Sequence, residues 1–190
     1  LTIRGLKSHV RLWGPAEAPK LFLLHGWMDC SASFQFLVDA LKRQWRVVAP
    51  DWRGFGQSEW QNRPYWFPDY LADLDRLLDH YSPGEAVRLV GHSMGGNVAG
   101  LYAGVRPARV AKLAILEGFG LHPSEPAQAP ARYAKWLEQD KAGATLRDYA
   151  DRGEFAARLL RDNPRLSQAQ ADFLAANFSQ RQPDGRYGYA

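Results

Sequence analysis

The chain has 190 residues, of which 46% are hydrophobic, 23% charged and 13% aromatic; that is ordinary globular usage and excludes a disordered tail, a collagen-like rod or a bare coiled coil. Lys and Arg number 24 and Asp and Glu 20, a net charge of +4 spread over both halves, so no basic arm or patch argues for a nucleic-acid partner. The single cysteine, Cys30, excludes an internal disulfide framework and gives no metal cluster, which predicts a reduced, cytoplasmic setting. No apolar run approaches the roughly 20 residues of a membrane helix, and no charged-then-apolar leader opens the chain.

Leu1-Thr2-Ile3 and His9 to Trp13 read as short strands flanking Gly5, a hairpin pattern. Lys20 to Leu24 is a continuous apolar run ending at His25-Gly26, which suits a strand covered on both faces. Phe34, Leu37, Val38 and Leu41 follow at helical spacing, with Ser31 or Ser33 as cap. Trp45 to Ala49 is the next strand. Pro68 opens a helix carrying Tyr70, Leu71, Leu74, Leu77, Leu78 and Tyr81 on one face. Ala86 to Val90 is a strand running into Gly91-His92-Ser93-Met94-Gly95-Gly96, and Val98, Leu101 and Tyr102 continue as a helix to Pro107. Val110 to Leu116 reads as another buried strand. Strand and helix alternate in this way to residue 118, which predicts a mostly parallel sheet with helices on both faces.

After Gly118 the pattern changes. Pro123, Pro126 and Pro130 make a linker-like stretch, and three helices follow without an intervening strand. Tyr133, Trp136 and Leu137 mark the first. Thr145 is the expected cap of the second, which carries Leu146, Tyr149, Phe155, Leu159 and Leu160. Ser167 and Gln170 form a capping box for the third. Pro183-Asp184-Gly185-Arg186 reads as a hairpin turn with Tyr187-Gly188-Tyr189 as its second arm.

Gly91-His92-Ser93-Met94-Gly95 is G-x-S-x-G placed between a strand and a helix, the context that this motif requires. The serine must sit on a strained strand-to-helix corner, and the flanking glycines leave room for the chain to pass close to itself. The helix N-terminus behind Ser93 offers positive potential to a developing oxyanion. Acyl transfer needs two donors for that oxyanion. One is the N–H of Met94; the other is the N–H of Trp27, in the loop His25-Gly26-Trp27 after the third strand, which Gly26 lets approach. His25 reads as a brace of that loop rather than as a base.

These pieces, His25-Gly26-Trp27, Asp51-Trp52-Arg53-Gly54-Phe55-Gly56-Gln57-Ser58 and Gly91 to Gly96, in this order, resemble the α/β-hydrolase-fold serine hydrolases. His25-Gly26-Trp27-Met28-Asp29 with Ser33-Phe34 resembles the serine hydrolase-like group in particular. The resemblance covers about residues 20 to 118 well and implies an α/β-hydrolase core over 1–120, a helical cap over 121–182 and the start of a return to the core over 183–190. It makes Asp51 and Arg53 internal braces. Asp29 either orders the oxyanion loop or is a solvated loop carboxylate. A serine at the elbow speaks against the epoxide hydrolase and haloalkane dehalogenase relatives, whose elbow carries aspartate.

A serine nucleophile needs a base, and the base an orienting acid. The order expected of the fold is Ser, acid, His. His9, His25 and His80 precede the serine, and the side chain of His92, its neighbour, is expected to point away into the fold. Only His122 follows, at the entrance to the cap, and it reads as a loop residue lining the pocket mouth. Glu117, at the end of the strand after the elbow helix, is the candidate acid; the alternative is a buried carboxylate bonded to loop amides. The resemblance places two further strands, the usual acid and the histidine beyond residue 190. The chain is therefore expected to be the N-terminal two-thirds of a longer hydrolase, without the base in its own sequence and weakly active by itself.

The expected function is hydrolysis of carboxylic esters through an acyl-enzyme on Ser93. A thioesterase or carbon–carbon bond hydrolase of the same fold is the alternative, as is a binding protein that keeps the pocket without catalysis. The pocket is expected to be apolar, with Trp27, Phe55, Phe119, Tyr133, Trp136 and Phe178 near it or giving it bulk, for a small-molecule substrate. No cofactor or metal is implied, since neither glycine-rich loop has dinucleotide or phosphate-loop spacing.

Overall fold

A computed structural model of the chain describes residues 1–61, 64–118, 120, 125–143 and 146–190. In chain order the strands are β1 (Thr2–Ile3), β2 (Leu6–Lys7), β3 (Val10–Trp13), β4 (Lys20–Leu24), β5 (Arg46–Pro50), β6 (Val87–His92), β7 (Val110–Leu116), β8 (Ser179–Arg181) and β9 (Tyr187–Tyr189). The helices are α1 (Gln35–Asp39), α2 (Phe67–Tyr81), α3 (Met94–Val105), α4 (Ala129–Ala142), α5 (Arg152–Asp162) and α6 (Gln168–Phe178). The central sheet has the order β3-β5-β4-β6-β7. β3 is antiparallel to β5, and the other three pairings are parallel.

Alternation along the strands explains how helices cover both faces. Phe22 and Leu24 of β4, Val48 of β5 and Leu89 of β6 point to one side, where Leu74, Leu77 and Leu78 of α2 and Val98 and Tyr102 of α3 pack on them. Leu21, Leu23, Val47 and Ala49 point to the other, under Phe34 and, further out, Val38 and Leu41. Because successive residues face opposite layers, both faces must be apolar, and the strands read as unbroken hydrophobic runs. Each fully buried Leu or Phe contributes about 1.5–3 kcal/mol relative to exposure.

Four local expectations are revised. The first hairpin turns at Arg4-Gly5 but pairs Thr2–Ile3 with Leu6–Lys7; Val10–Trp13 joins the main sheet instead, because pairing with β5 covers a partly buried face. The segment after β4 forms a short 3-10 turn, Ser31–Phe34, that runs into the five-residue α1 with no side-chain cap. The backbone N–H of Ser31 is instead drawn to the Asp51 carboxylate, 2.6 Å away. β7 is not buried: it lies at the sheet margin among the described residues, and Ile115 remains 41% exposed. α5 starts at Arg152 under an Asp151 cap, which accepts the Glu154 N–H at 2.8 Å, so Leu146 and Tyr149 precede the helix. Thr145 lies outside the described residues.

The capping box of α6 forms as expected, Ser167 Oγ accepting from Gln170 N and Gln170 Oε1 from Ser167 N. The β8–β9 hairpin also forms, across residues 182–186. Around Phe155, α5, α6 and this hairpin share a small core of their own. Helix α6 meets β3 where Arg11 donates to Asn177 at 3.1 Å and meets α1 where the Phe36 and Phe173 rings lie edge-on at 5.6 Å. α4 buries none of its residues, and Tyr133, Trp136 and Leu137 are exposed.

Candidate active site

The two glycine-bearing motifs meet because their strands are neighbours. β4 and β6 are parallel with Leu24 opposite Gly91, so His25-Gly26-Trp27 and His92-Ser93-Met94 leave the same edge side by side. This is the carboxyl edge, where ligands gather in open parallel sheets.

Ser93 is the sharp corner. Its backbone has φ 50° and ψ −116°, between the last residue of β6 and the first of α3. A non-glycine residue held there carries about 1–3 kcal/mol of strain. The corner is held by Ser93 N–H donating to Leu116 O at 2.8 Å and by Asn97 N–H donating to Ser93 O at 3.0 Å. The glycines explain themselves in space. A Cβ on Gly91 would strike the Gly95 carbonyl, and one on Gly95 would strike the Leu24 carbonyl. A Cβ on Gly26 would lie 3.2 Å from both the Ser93 Cβ and His92 Nδ1. The loop after β4 therefore lies against the serine, and Ser93 itself stays partly exposed. Neither the Trp27 nor the Met94 N–H donates to a described residue.

His25 is fully buried and neutral. Burial lowers its pKa below the ordinary value, against the opposing pull of Asp29 and Asp51. Its Nε2 accepts the Trp52 N–H at 2.9 Å, and its carbonyl accepts the Trp52 indole at 2.9 Å. That network assigns the remaining ring proton to Nδ1, which faces the Gly26 carbonyl at 2.8 Å. Asp51 and Arg53 brace the interior likewise. Burial alone would push the Asp51 carboxyl up, but bonds from His9, Ser31 and Gln57 outweigh it and hold the pKa at about 2. Arg53 forms a two-pronged pair with Asp73, at 2.5 and 2.6 Å. Asp29 accepts the Cys30 N–H at 2.7 Å and the Ser33 hydroxyl at 3.2 Å, so it ties the loop after Trp27 to the turn that follows.

His92 departs from expectation. Its side chain is 41% exposed and stands between two carboxylates, with Nδ1 3.9 Å from Asp29 and Nε2 3.7 Å from Glu117. Ser93 takes the corner, and the Gly26 backbone packs against the His92 ring, so the ring has no route inward. Glu117 is not buried either: its side chain is 77% exposed, and its backbone has φ 54°. No described histidine bonds the Ser93 hydroxyl. His122 and Phe119 lie outside the described residues.

An apolar cavity of about 490 Å³ opens where Trp27 and Met94 meet, walled chiefly by Phe55, Trp60, Tyr65, Phe67 and Tyr70. Trp27 meets Phe55 edge-on at 5.8 Å. Of the aromatics expected here, Trp27 and Phe55 line the cavity. Tyr133 and Trp136 line a separate hollow with Glu125 and Arg132, and Phe178 packs against the small core around Phe155. Trp60, Tyr65 and Phe67 escaped the sequence reading, which gave Tyr70 to the apolar face of the Pro68 helix and not to the cavity. Their signal was the density of aromatics between the glycine-rich loop and the Pro68 helix.

The comparisons with known proteins agree with this fold. The family model for the α/β hydrolase fold matches residues 19–187, and the chain belongs to that family. A serine hydrolase-like protein of Danio rerio is 34% identical over 173 residues, covering 86% of this chain and 52% of the relative; the chain thus spans about half that relative's length. Epoxide hydrolase 4 of Mus musculus is 32% identical over 114 residues, 59% of this chain and 32% of the relative. Among solved structures, a thioesterase domain from the curacin biosynthetic pathway superposes with a TM-score of 0.85 at 28% identity, over 99% of this chain and 69% of that one. No described helix is long and apolar enough to cross a membrane.

Proposed function

We propose that the protein is a serine hydrolase of carboxylic esters, with Ser93 as nucleophile. The observation that carries this reading is the strained Ser93 corner, packed against Gly26 and opening beside a cavity that Trp27 and Met94 line. In the first step Ser93 Oγ adds to the ester carbonyl while its proton passes to a general base. The carbonyl oxygen, now negative, takes hydrogen bonds from the Trp27 and Met94 N–H groups. Both are free of described acceptors, and two fixed donors are what such an intermediate needs. Collapse expels the alcohol, which recovers the proton, and leaves an acyl-enzyme that water hydrolyses.

The base in this reading is a histidine beyond residue 190, where the family resemblance places it. His25 is excluded from the role by its bond to Trp52. Glu117 is a candidate orienting acid at the end of β7, and helices α4 to α6 act as a cap over residues 121–182. Serine at position 93, where epoxide hydrolases carry aspartate, favours an acyl-enzyme over an alkyl one. The thioesterase reading is the second, favoured by the likeness to the curacin thioesterase domain; it uses the same steps with a thiol leaving group.

Labelling with a fluorophosphonate, read by mass spectrometry, tests the nucleophile. The expected adduct sits on Ser93 and vanishes in Ser93→Ala. Full-length protein, with the histidine that the resemblance places beyond residue 190, that takes up no probe at Ser93 overturns the reading and leaves a binding protein in its place. Hydrolysis of matched oxygen and sulfur esters separates the two chemistries.

A further inference from the structure

We infer that the cavity beside Ser93 is built for an uncharged planar aromatic ring system carried next to the scissile carbonyl; this deepens the ester-hydrolase reading and rests on it. Two of the cavity's twelve lining residues, Trp27 and Met94, are those whose N–H groups would hold the oxyanion, so the volume lies beside the place of the scissile carbonyl. None of the described lining side chains is charged, so a charged group entering would lose its hydration without a partner.

Most of the wall side chains are rings, among them Trp27, Phe55, Trp60, Tyr65, Phe67 and Tyr70, with Met28, Met94 and Leu146 between them. The ring orientations are fixed by one another. Trp27 stands at 72° to Phe55, and Phe67 at 62° to Tyr70, whose far side is held at 81° by Trp52. The Tyr65 hydroxyl accepts the Gln61 N–H at 2.8 Å, which fixes that ring in the wall. Preset rings reward a flat ligand twice. Ring–ring contacts add attraction beyond the area buried, and a fused ring system has few rotors to freeze, whereas an alkyl chain of the same carbon number has many. The cavity's roughly 490 Å³ falls within the range of small-ligand sites and has room for two fused rings.

The test is binding, so that it does not depend on turnover. Methyl naphthyl ketone and methyl decyl ketone carry the same number of carbons, and neither can be hydrolysed. Isothermal titration calorimetry on the chain should show the naphthyl ketone binding about tenfold more tightly. Trp60→Leu, which keeps apolar bulk without the ring, should remove most of that preference, and Trp60→Phe should restore much of it. Trp60 is 55% exposed, so both variants should fold. Equal or weaker binding of the naphthyl ketone overturns the inference, as does a Trp60→Leu protein with the full preference. Either result leaves the ester reading standing if Ser93 takes up fluorophosphonate. A retained ring preference without Ser93 labelling overturns the ester reading alone.

Discussion

His25 Nε2 accepts the backbone N–H of Trp52, while the Trp52 indole donates back to the His25 carbonyl, both at 2.9 Å. This reciprocal pair locks the loop after β4 to the loop after β5. It also requires His25 to be neutral, because a protonated Nε2 cannot accept. The folded protein thus holds the His25 pKa below its ordinary 6.5 by burial. The unfolded chain then binds the extra proton first, so stability rises with pH across that window and falls as pH drops below about 6.5. We expect a slope approaching about 1.4 kcal/mol per pH unit below that point, measured by urea unfolding at stepped pH. His25→Gln, whose amide oxygen can still accept, should flatten it. A second loss should follow at lower pH, where the Asp51 carboxyl, held at about 2 against an ordinary 3.8, is finally protonated.

Ser93 stores strain in its positive-φ backbone. Ser93→Gly should raise stability by about 1 kcal/mol, the relief of a positive-φ corner less the entropy that glycine adds to the unfolded chain. Ser93→Ala keeps the strain and should be close to neutral. Thermal unfolding of the two variants separates them, and both should lose fluorophosphonate uptake.

Two of the four glycines of the elbow helix α3 carry opposite expectations. Gly95 lies against the Leu24 carbonyl, whereas a Cβ on Gly104 meets nothing within 4 Å. Gly95→Ala should cost about 3 kcal/mol, since main chain rather than a flexible side chain must move. Gly104→Ala should add about 0.5–1 kcal/mol through helix propensity. Denaturant midpoints of the two variants check the contrast.

The Arg53–Asp73 pair sits behind the site, with side chains only 5% and 11% exposed. Arg53→Met strands the Asp73 carboxylate with the more distant Arg4 at 3.4 Å, and should cost about 3 kcal/mol. The double variant Arg53→Met with Asp73→Leu should recover most of that loss. A double-mutant cycle by chemical denaturation is the measurement.

Much of the scaffold was legible in the order of residues. The runs Lys20–Leu24 and Trp45–Ala49, the Pro68 helix and the strand–Gly–Ser–helix corner carry local signals that neighbours reinforce, and each appears within a residue or so of where its pattern puts it. Misreadings arose where a distant partner decided. Val10–Trp13 pairs with β5 rather than with the first strand. The 3-10 turn before α1 is shaped by a carboxylate 20 residues away, at Asp51. His92, adjacent to the corner, takes its exposure from the Gly26 loop beside it.

The sequence by itself determined the corner at Ser93 and the glycines that make it possible, because φ/ψ freedom and close approach depend on residues only two positions away. It also determined the two-faced strands, since side-chain alternation is a property of the extended backbone. Only the tertiary structure decided which side chains line the cavity beside Met94. Trp27, Phe55, Trp60, Phe67 and Met94 come from separate segments, and nothing in their spacing records that they converge; their meeting depends on how β4, β5 and β6 are ordered and how α2 lies across them.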